Sequence, residues 1–173
     1  MAVTQETLEE VDEFLQGAKW LEDDIPDWKH GVRPGQWDAV WNIEEKHGVS
    51  RAHMRFRISS QTPGYPSVSV IFRMNPVWRV DLKPEKDCEP NPPWAAGLGL
   101  PAEVCGNHSH EWVDNREHIR QSKEWDLPCR RPVEPQMRRV PQMLFWLADR
   151  IGIELTSDQR NFDAPPRADL FEF

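Results

Sequence analysis

Hydrophobic residues near the start of the chain recur every three or four positions, which predicts an amphipathic helix. The apolar stripe consists of Leu8, Val11, Phe14, Leu15, Ala18 and Leu21. We therefore expect a helix from about Glu6 to Leu21 that is capped by Thr4 or Thr7, with Thr7 and Glu10 in the spacing of a capping box. Its apolar face must pack against another element.

Apolar and polar residues then alternate in four stretches, a pattern typical of strands with one buried face. In the clearest stretch, arginine and histidine alternate with Ala52, Met54, Phe56 and Ile58. The predicted strands are Trp37–Glu45, Arg51–Ser59, Val68–Met74 and Val77–Lys83. Turn residues separate them, so we expect an antiparallel meander with the first helix packed on its buried face.

The second half of the chain is less regular. Pro84–Pro101 is rich in proline and glycine and is predicted to be a long loop, whereas Pro141–Ile151 has the apolar spacing of a helix that ends at Gly152. The apolar ending Asp169–Phe173 is expected to dock on the fold. The chain is thus predicted to be a single α+β domain, residues 1–173, with about four antiparallel strands covered by an N-terminal and a C-terminal helix.

Composition and charge restrict the function. Nine tryptophans in 173 residues favour a folded aromatic core, and the net charge of -8 makes general binding to nucleic acid unlikely. With neither a long apolar run nor a signal-peptide pattern, we expect a cytoplasmic protein without membrane contact. Three cysteines are an odd number without the spacing of a disulfide framework, so reduced thiols are expected.

Chemically versatile side chains are concentrated in residues 105–118, which contain three of the six histidines. The candidate catalytic residues are Cys105, His108, His110 and Asp114, and the candidate metal ligands are His108, His110 and His118. If residues 110–121 form a helix, imidazoles and carboxylates share one of its faces and could hold a zinc ion, although the sequence leaves the cofactor open. The alternative is an ordinary surface helix anchored by Trp112.

Cys105 has two interpretations from the residues alone, because nearby histidines would activate a nucleophile, while a free cysteine is more often buried. The order of elements, with a cysteine in the loop after a four-stranded meander, resembles the ubiquitin-conjugating (E2) superfamily. That resemblance implies thioester transfer through Cys105, with Cys88 as the second match. The family's His-Pro-Asn tripeptide is absent, and Asn107 and His108 follow Cys105 instead of preceding it.

The basic face of the second strand, with Arg51, Arg55 and Arg57, is a candidate surface for an acidic protein partner. The alternative is that nearby carboxylates, such as Glu44, Asp81 and those of the first helix, neutralise it. Because no catalytic set is complete, the sequence favours an interaction or regulatory module that binds a protein partner. Whether the chain is an enzyme stays open, with thioester transfer and metal-assisted hydrolysis as the alternatives.

Overall fold

The first helix, α1 (Gln5–Gln16), forms as predicted but is shorter than its apolar pattern indicates. The structure, a computed structural model, describes residues 1–165, so the predicted docking of Asp169–Phe173 lies outside the described residues. Thr4, and not Thr7, is the N-cap residue: its side chain accepts a hydrogen bond from the Thr7 amide. Gly17 ends the helix, and Lys19–Leu21 continue as a strand that also turns Leu21 inward.

The predicted four-stranded meander is present within a larger sheet. The strands are β1 (Lys19–Leu21), β2 (Lys29–His30), β3 (Gln36–Glu45), β4 (Val49–Ser59), β5 (Ser67–Phe72), β6 (Asn75–Asp81), β7 (Cys88–Pro90), β8 (Glu103–Cys105), β9 (His108–His110), β10 (Arg131–Pro132) and β11 (Ile153–Glu154), and the later helices are α2 (Trp112–Ser122) and α3 (Val140–Ile151). Nine of these strands form one sheet in the order β10-β9-β6-β5-β4-β3-β1-β11, with β2 also beside β3. Within residues 1–165, all pairings of this sheet are antiparallel except that of β1 with β11.

One face of the sheet carries the hydrophobic core. The inward residues of β3 to β6 share one buried cluster with the apolar faces of α1 and α3, as the sequence predicted for the two helices. Phe14 of α1 packs on Phe72 of β5, with ring centroids 5.1 Å apart. Since side chains alternate across a strand, the residues between these inward positions, most of them polar, lie on the opposite face.

On that polar face the antiparallel register aligns side chains in two rows that cross five strands. One row is Asp38, Arg57, Ser67, Asp81 and His108, and its neighbour is Val40, Arg55, Ser69, Arg79 and His110. The rows bring residues from β3 to β9 together although they are far apart in the sequence. Each row ends at a histidine of β9, where β9 pairs with β6.

The segment predicted as a long loop is a hairpin closed by a covalent bond. β7 and β8 pair antiparallel around a 3-10 helix, Pro93–Leu98, and a disulfide joins Cys88 to Cys105. The expectation of reduced thiols is therefore wrong for these two residues. Cys129 is a free and buried cysteine, and burial raises the pKa of its thiol to about 11.

Within residues 1–165, none of the helices combines the length and the apolar character that crossing a membrane requires.

The buried side chain of Lys19 closes the C-terminal end of α1. Its ammonium donates to the carbonyl oxygens of Phe14, Leu15 and Gly17 at 2.6, 3.2 and 2.5 Å, groups that have no partner within the helix. Burial lowers the pKa of Lys19 from 10.5 to about 8, against a smaller opposing effect of Glu45. The fold therefore tolerates the neutral amine better than the unfolded chain does.

This pKa predicts how stability depends on pH. Between pH 8 and 10.5 the unfolded chain binds more protons at Lys19 than the folded chain, so Lys19 makes the free energy of unfolding rise with pH, by at most about 1.4 kcal/mol per pH unit. Urea unfolding of the wild type and of Lys19→Met across this range isolates the effect, because a methionine side chain does not titrate. A constant difference between the two proteins would contradict the prediction.

Candidate metal centre

The pairing of β6 with β9 places one carboxylate and two imidazoles side by side on the polar face. Asp81 lies directly opposite His108, and Arg79 lies opposite His110. Because His108 and His110 are two residues apart on one strand, their side chains point to the same side of the sheet. The register of two short segments therefore creates the cluster.

The three side chains point their ligand atoms at one another. Nε2 of His108 and Nε2 of His110 each lie 3.6 Å from Oδ2 of Asp81. One ligand atom from each of the three residues lies within 4.8 Å of the other two, and all three residues are at least 94% buried. In the described part of the chain one other group meets the same distance criterion, Cys88, Glu103 and Cys105, but it is exposed and its two sulfurs form the disulfide.

The second nitrogen of each imidazole is fixed by the backbone. Nδ1 of His108 lies 2.9 Å from the carbonyl oxygen of Gly106, and Nδ1 of His110 lies 2.6 Å from that of Leu127. A carbonyl oxygen only accepts, so both Nδ1 atoms must carry hydrogen. In the neutral imidazole Nε2 is then the unprotonated nitrogen, 3.6 Å from the Asp81 carboxylate, whereas in the imidazolium Nε2 carries the hydrogen that the carboxylate can accept. Metal-binding histidines are commonly oriented by this kind of backbone contact.

The electrostatics also suit a cation. Burial would raise the pKa of Asp81, but hydrogen bonds and charge from His110 and Arg79 outweigh it and hold the pKa below the usual 3.8. Burial lowers the pKa of His108 despite the opposing Gly106 carbonyl and Asp81 charge. At neutral pH the site thus presents an ionised carboxylate and a neutral imidazole, the protonation states that bind metals.

The backbone around the two histidines is held by buried amides. Asn107 accepts from the Lys83 amide at 3.1 Å and donates to the Met137 carbonyl at 2.9 Å, while Asn115 of α2 accepts from the Cys129 amide at 2.8 Å. The contact between Asn115 and Cys129 anchors the loop that supplies the Leu127 carbonyl. Gly106 has φ +75°, and a Cβ there would lie 3.3 Å from the Glu85 Cα, so any other residue would be strained where the chain presents its carbonyl to His108.

A cavity of about 270 Å³ opens beside Asp81 on the polar face. It is lined by Arg57, Ser59, Thr62, Tyr65, Ser67, Arg79, Asp81, Leu82, Lys83, Pro84 and Asp87. Asp81 thus belongs both to the cluster and to the cavity wall, which gives the buried centre a neighbouring space for a ligand.

Of the predicted metal ligands, the structure brings His108 and His110 together but places His118 elsewhere. His118 lies on α2, stacks on Trp94 with centroids 5.2 Å apart, and has Nε2 3.1 Å from Asp126 Oδ1. The prediction of one helical face for residues 110–121 is wrong, since His110 belongs to β9 and α2 begins at Trp112. The short strand forms because β6 and β10 both pair with this segment.

The other predicted catalytic residues are engaged in structural contacts. Asp114 is buried on α2 and binds Arg131 through two hydrogen bonds of 3.1 and 2.7 Å. Cys105 is exposed, but its sulfur is bonded to Cys88 and is not a thiolate. Thioester transfer through Cys105 would first require reduction of this disulfide and stays a prediction, as does the resemblance to the E2 superfamily.

The basic strand face is paired internally. Arg51 binds Glu45 in a bidentate pair, and Arg55 and Arg57 both bind Asp38 at 3.0 Å. The carboxylates that pair with these three arginines are therefore neighbours on β3. Of the groups expected to neutralise the basic face, Asp81 pairs with Arg79 and Glu10 of α1 pairs with Arg73. Binding of a protein partner at these arginines stays a prediction.

Sequence reasoning missed Asp81 as a member of the site. Its position on the polar side of a predicted strand was visible, but the pairing of that strand with residues 108–110 was not. Comparison of the chain with protein-family models, with curated proteins and with solved structures found no match. The geometry is therefore the basis for inferring function.

Proposed function

We propose that this protein binds one divalent transition-metal ion, with zinc as the first candidate, through Asp81 Oδ2 and the Nε2 atoms of His108 and His110. The observation that carries the proposal is the convergence of three buried ligand atoms, with each Nδ1 held by a backbone carbonyl and the Asp81 carboxylate held by Arg79, whose Nε lies 2.8 Å from Oδ2. A cation between them would replace the repulsion of facing lone pairs by three bonds. The only other simple occupant is a proton shared between an imidazole and the carboxylate.

The donor set and its surroundings favour a reactive centre over a structural one. Structural zinc sites have four protein ligands, whereas three protein ligands leave a position for water or substrate, and zinc lowers the pKa of its bound water to about 7. Two imidazoles with one carboxylate also suit ferrous iron. The cavity beside Asp81 gives a substrate access to this neighbourhood. We therefore propose metal-assisted hydrolysis as the reaction class.

Metal titration tests the proposal directly. The full chain, stripped with a chelator, should bind about one equivalent of Zn²⁺ by calorimetry, and Co²⁺ should bind competitively and give the visible absorption of a low-coordinate site. Binding should weaken at acid pH, because protons compete for Nε2 of His108; since burial lowers the pKa of His108, this loss should set in below the usual range of a histidine. Nitrogen-15 spectra that show His110 protonated on both ring nitrogens at pH 7.5 with Zn²⁺ present would instead identify a proton as the occupant.

A further inference from the structure

The cavity beside the metal centre is built around a gap in one of the polar rows. Ser67 lies between Arg57 on one neighbouring strand and Asp81 on the other. Adjacent strands are about 4.8 Å apart, so the backbones that carry Arg57 and Asp81 are separated by roughly 10 Å. The small serine side chain leaves this span open, and a ligand seated above it would lie between a guanidinium and a metal ligand.

The lining of the cavity matches an anion rich in oxygen. Three cationic side chains, Arg57, Arg79 and Lys83, face two carboxylates, Asp81 and Asp87. Hydroxyl groups from Ser59, Thr62, Tyr65 and Ser67 add donors around the rim. A divalent ion at Asp81 would add two further positive charges, so the loaded site favours an anionic ligand over a neutral one.

Two of the cations retain donors for a ligand. Arg57 binds Asp38 through Nε, and its side chain is still 44% exposed. Lys83 Nζ lies 3.6 Å from Glu89 Oε1, too far for a hydrogen bond, so the ammonium can turn toward the cavity. Arg79, in contrast, is held by Asp81.

Hydrogen bonds link the wall of the cavity to the segment that carries the metal ligands. The Lys83 amide donates to Asn107, the residue before His108, and the Leu82 amide donates to the Pro66 carbonyl at 3.0 Å. These contacts fix Lys83 and the residues next to Ser67 relative to the imidazoles. A ligand in the cavity would therefore meet a preorganised set of donors.

From these observations, and resting on the proposed metal function, we infer that the cavity over Ser67 binds a phosphate group between Arg57, Lys83 and the metal centre, so that the substrate class is a phosphate ester. Phosphate offers several oxygens and up to two negative charges, which matches donors that converge from three strands and a following segment. Guanidinium and ammonium groups are the usual protein ligands for it. In hydrolysis, a water activated by the metal would form a new P–O bond and lose one proton to solvent, while the P–O bond to the ester oxygen breaks and that oxygen leaves as an alcohol with a proton from solvent.

Inorganic phosphate is the probe for this site. Zinc-loaded protein, freed of excess ion, should bind phosphate in calorimetry at constant ionic strength, and at least about tenfold more weakly after zinc is removed. Lys83→Gln should weaken phosphate binding by about tenfold, the size expected for one charge-assisted hydrogen bond. It should leave the zinc stoichiometry at one, because Lys83 is not in the ligand set.

A matched pair of substitutions tests the position of the ligand. Ser67→Val fills the gap and should weaken phosphate binding by at least about tenfold, whereas Ser69→Val, two residues along the same face of β5 and outside the cavity lining, should leave it unchanged. Thermal melts and zinc stoichiometry should be equal for both variants. Both are strand positions that tolerate a β-branched residue.

The outcomes separate the two proposals. Stoichiometric zinc binding without phosphate binding at millimolar concentration, or with equal effects of Ser67→Val and Ser69→Val, would overturn the phosphate site and leave the metal proposal standing. Acetate binding as tightly as phosphate would overturn the substrate class by identifying a carboxylate site. Absence of zinc binding would overturn the metal proposal and, with it, the metal-dependent phosphate site.

Discussion

Replacing His108 or His110 by asparagine should lower zinc affinity by at least about 100-fold, since losing even a residue that merely orients a metal ligand costs 10- to 100-fold. Asparagine is the informative choice because its amide N–H can take the place of Nδ1–H and keep the bond to the Gly106 or Leu127 carbonyl. What the variant lacks is Nε2, the atom that points at Asp81. The loss of affinity would therefore report on coordination and not on a missing backbone contact.

The matched control is His118→Asn, because His118 lies on α2 outside the cluster and should not affect zinc binding. Calorimetry gives the affinities, and thermal melts of the metal-free proteins show whether each variant is folded. Zinc should raise the melting temperature of the wild type and of His118→Asn but not that of the β9 variants, because an ion that binds the folded state stabilises it. Equal zinc affinity in all four proteins would place the ion elsewhere.

Removing the disulfide is expected to have the second large effect, a loss of about 3 kcal/mol in the free energy of unfolding. Cys88 and Cys105 are 17 positions apart, and closing a loop of that length restricts the unfolded chain by about this amount. The Cys88→Ser, Cys105→Ser double variant should unfold at lower urea concentration than the oxidised wild type. Cys129 is kept in all proteins because its buried thiol is part of the packing.

A reductant distinguishes the covalent bond from side effects of the substitutions. Reduction should shift wild-type unfolding toward that of the double variant, and the double variant should not respond. A wild type that is insensitive to the reductant would show that the bond contributes nothing to stability. Disulfides are rare in reducing compartments, so the cytoplasmic location inferred from the sequence stays a prediction, and the redox state of purified protein bears on it.

The central sheet was predictable because its long strands have one buried face, so that apolar and polar residues alternate along many positions. Met54 and Phe56 lie in the core and Arg55 and Arg57 on the polar face, as the pattern of β4 indicates. The helices α1 and α3 were equally visible from their apolar spacing. The excess length predicted for α1 arose because Leu21 continues the helical period by coincidence while pointing inward from β1.

The site was only half predictable, for a physical reason. His108 and His110 were identified by residue type, but a strand of three residues is too short to show alternation, and all three of its residues are buried. Asp81 joins them through a pairing between segments 27 positions apart, and the disulfide depends on a hairpin in a region without periodicity. Local patterns carry no information about such contacts.

The pairing of β9 with β6 also has a kinetic consequence. Neighbouring strands of the meander from β3 to β6 are joined by short turns, whereas the β7–β8 hairpin lies between β6 and β9 in the sequence. Pairing β9 with β6 therefore closes a longer loop and costs more conformational entropy. We expect β9 to dock after the rate-limiting step of folding. An ion that bridges the two strands would then stabilise contacts absent from the transition state, and would lengthen the lifetime of the native protein without making it fold faster.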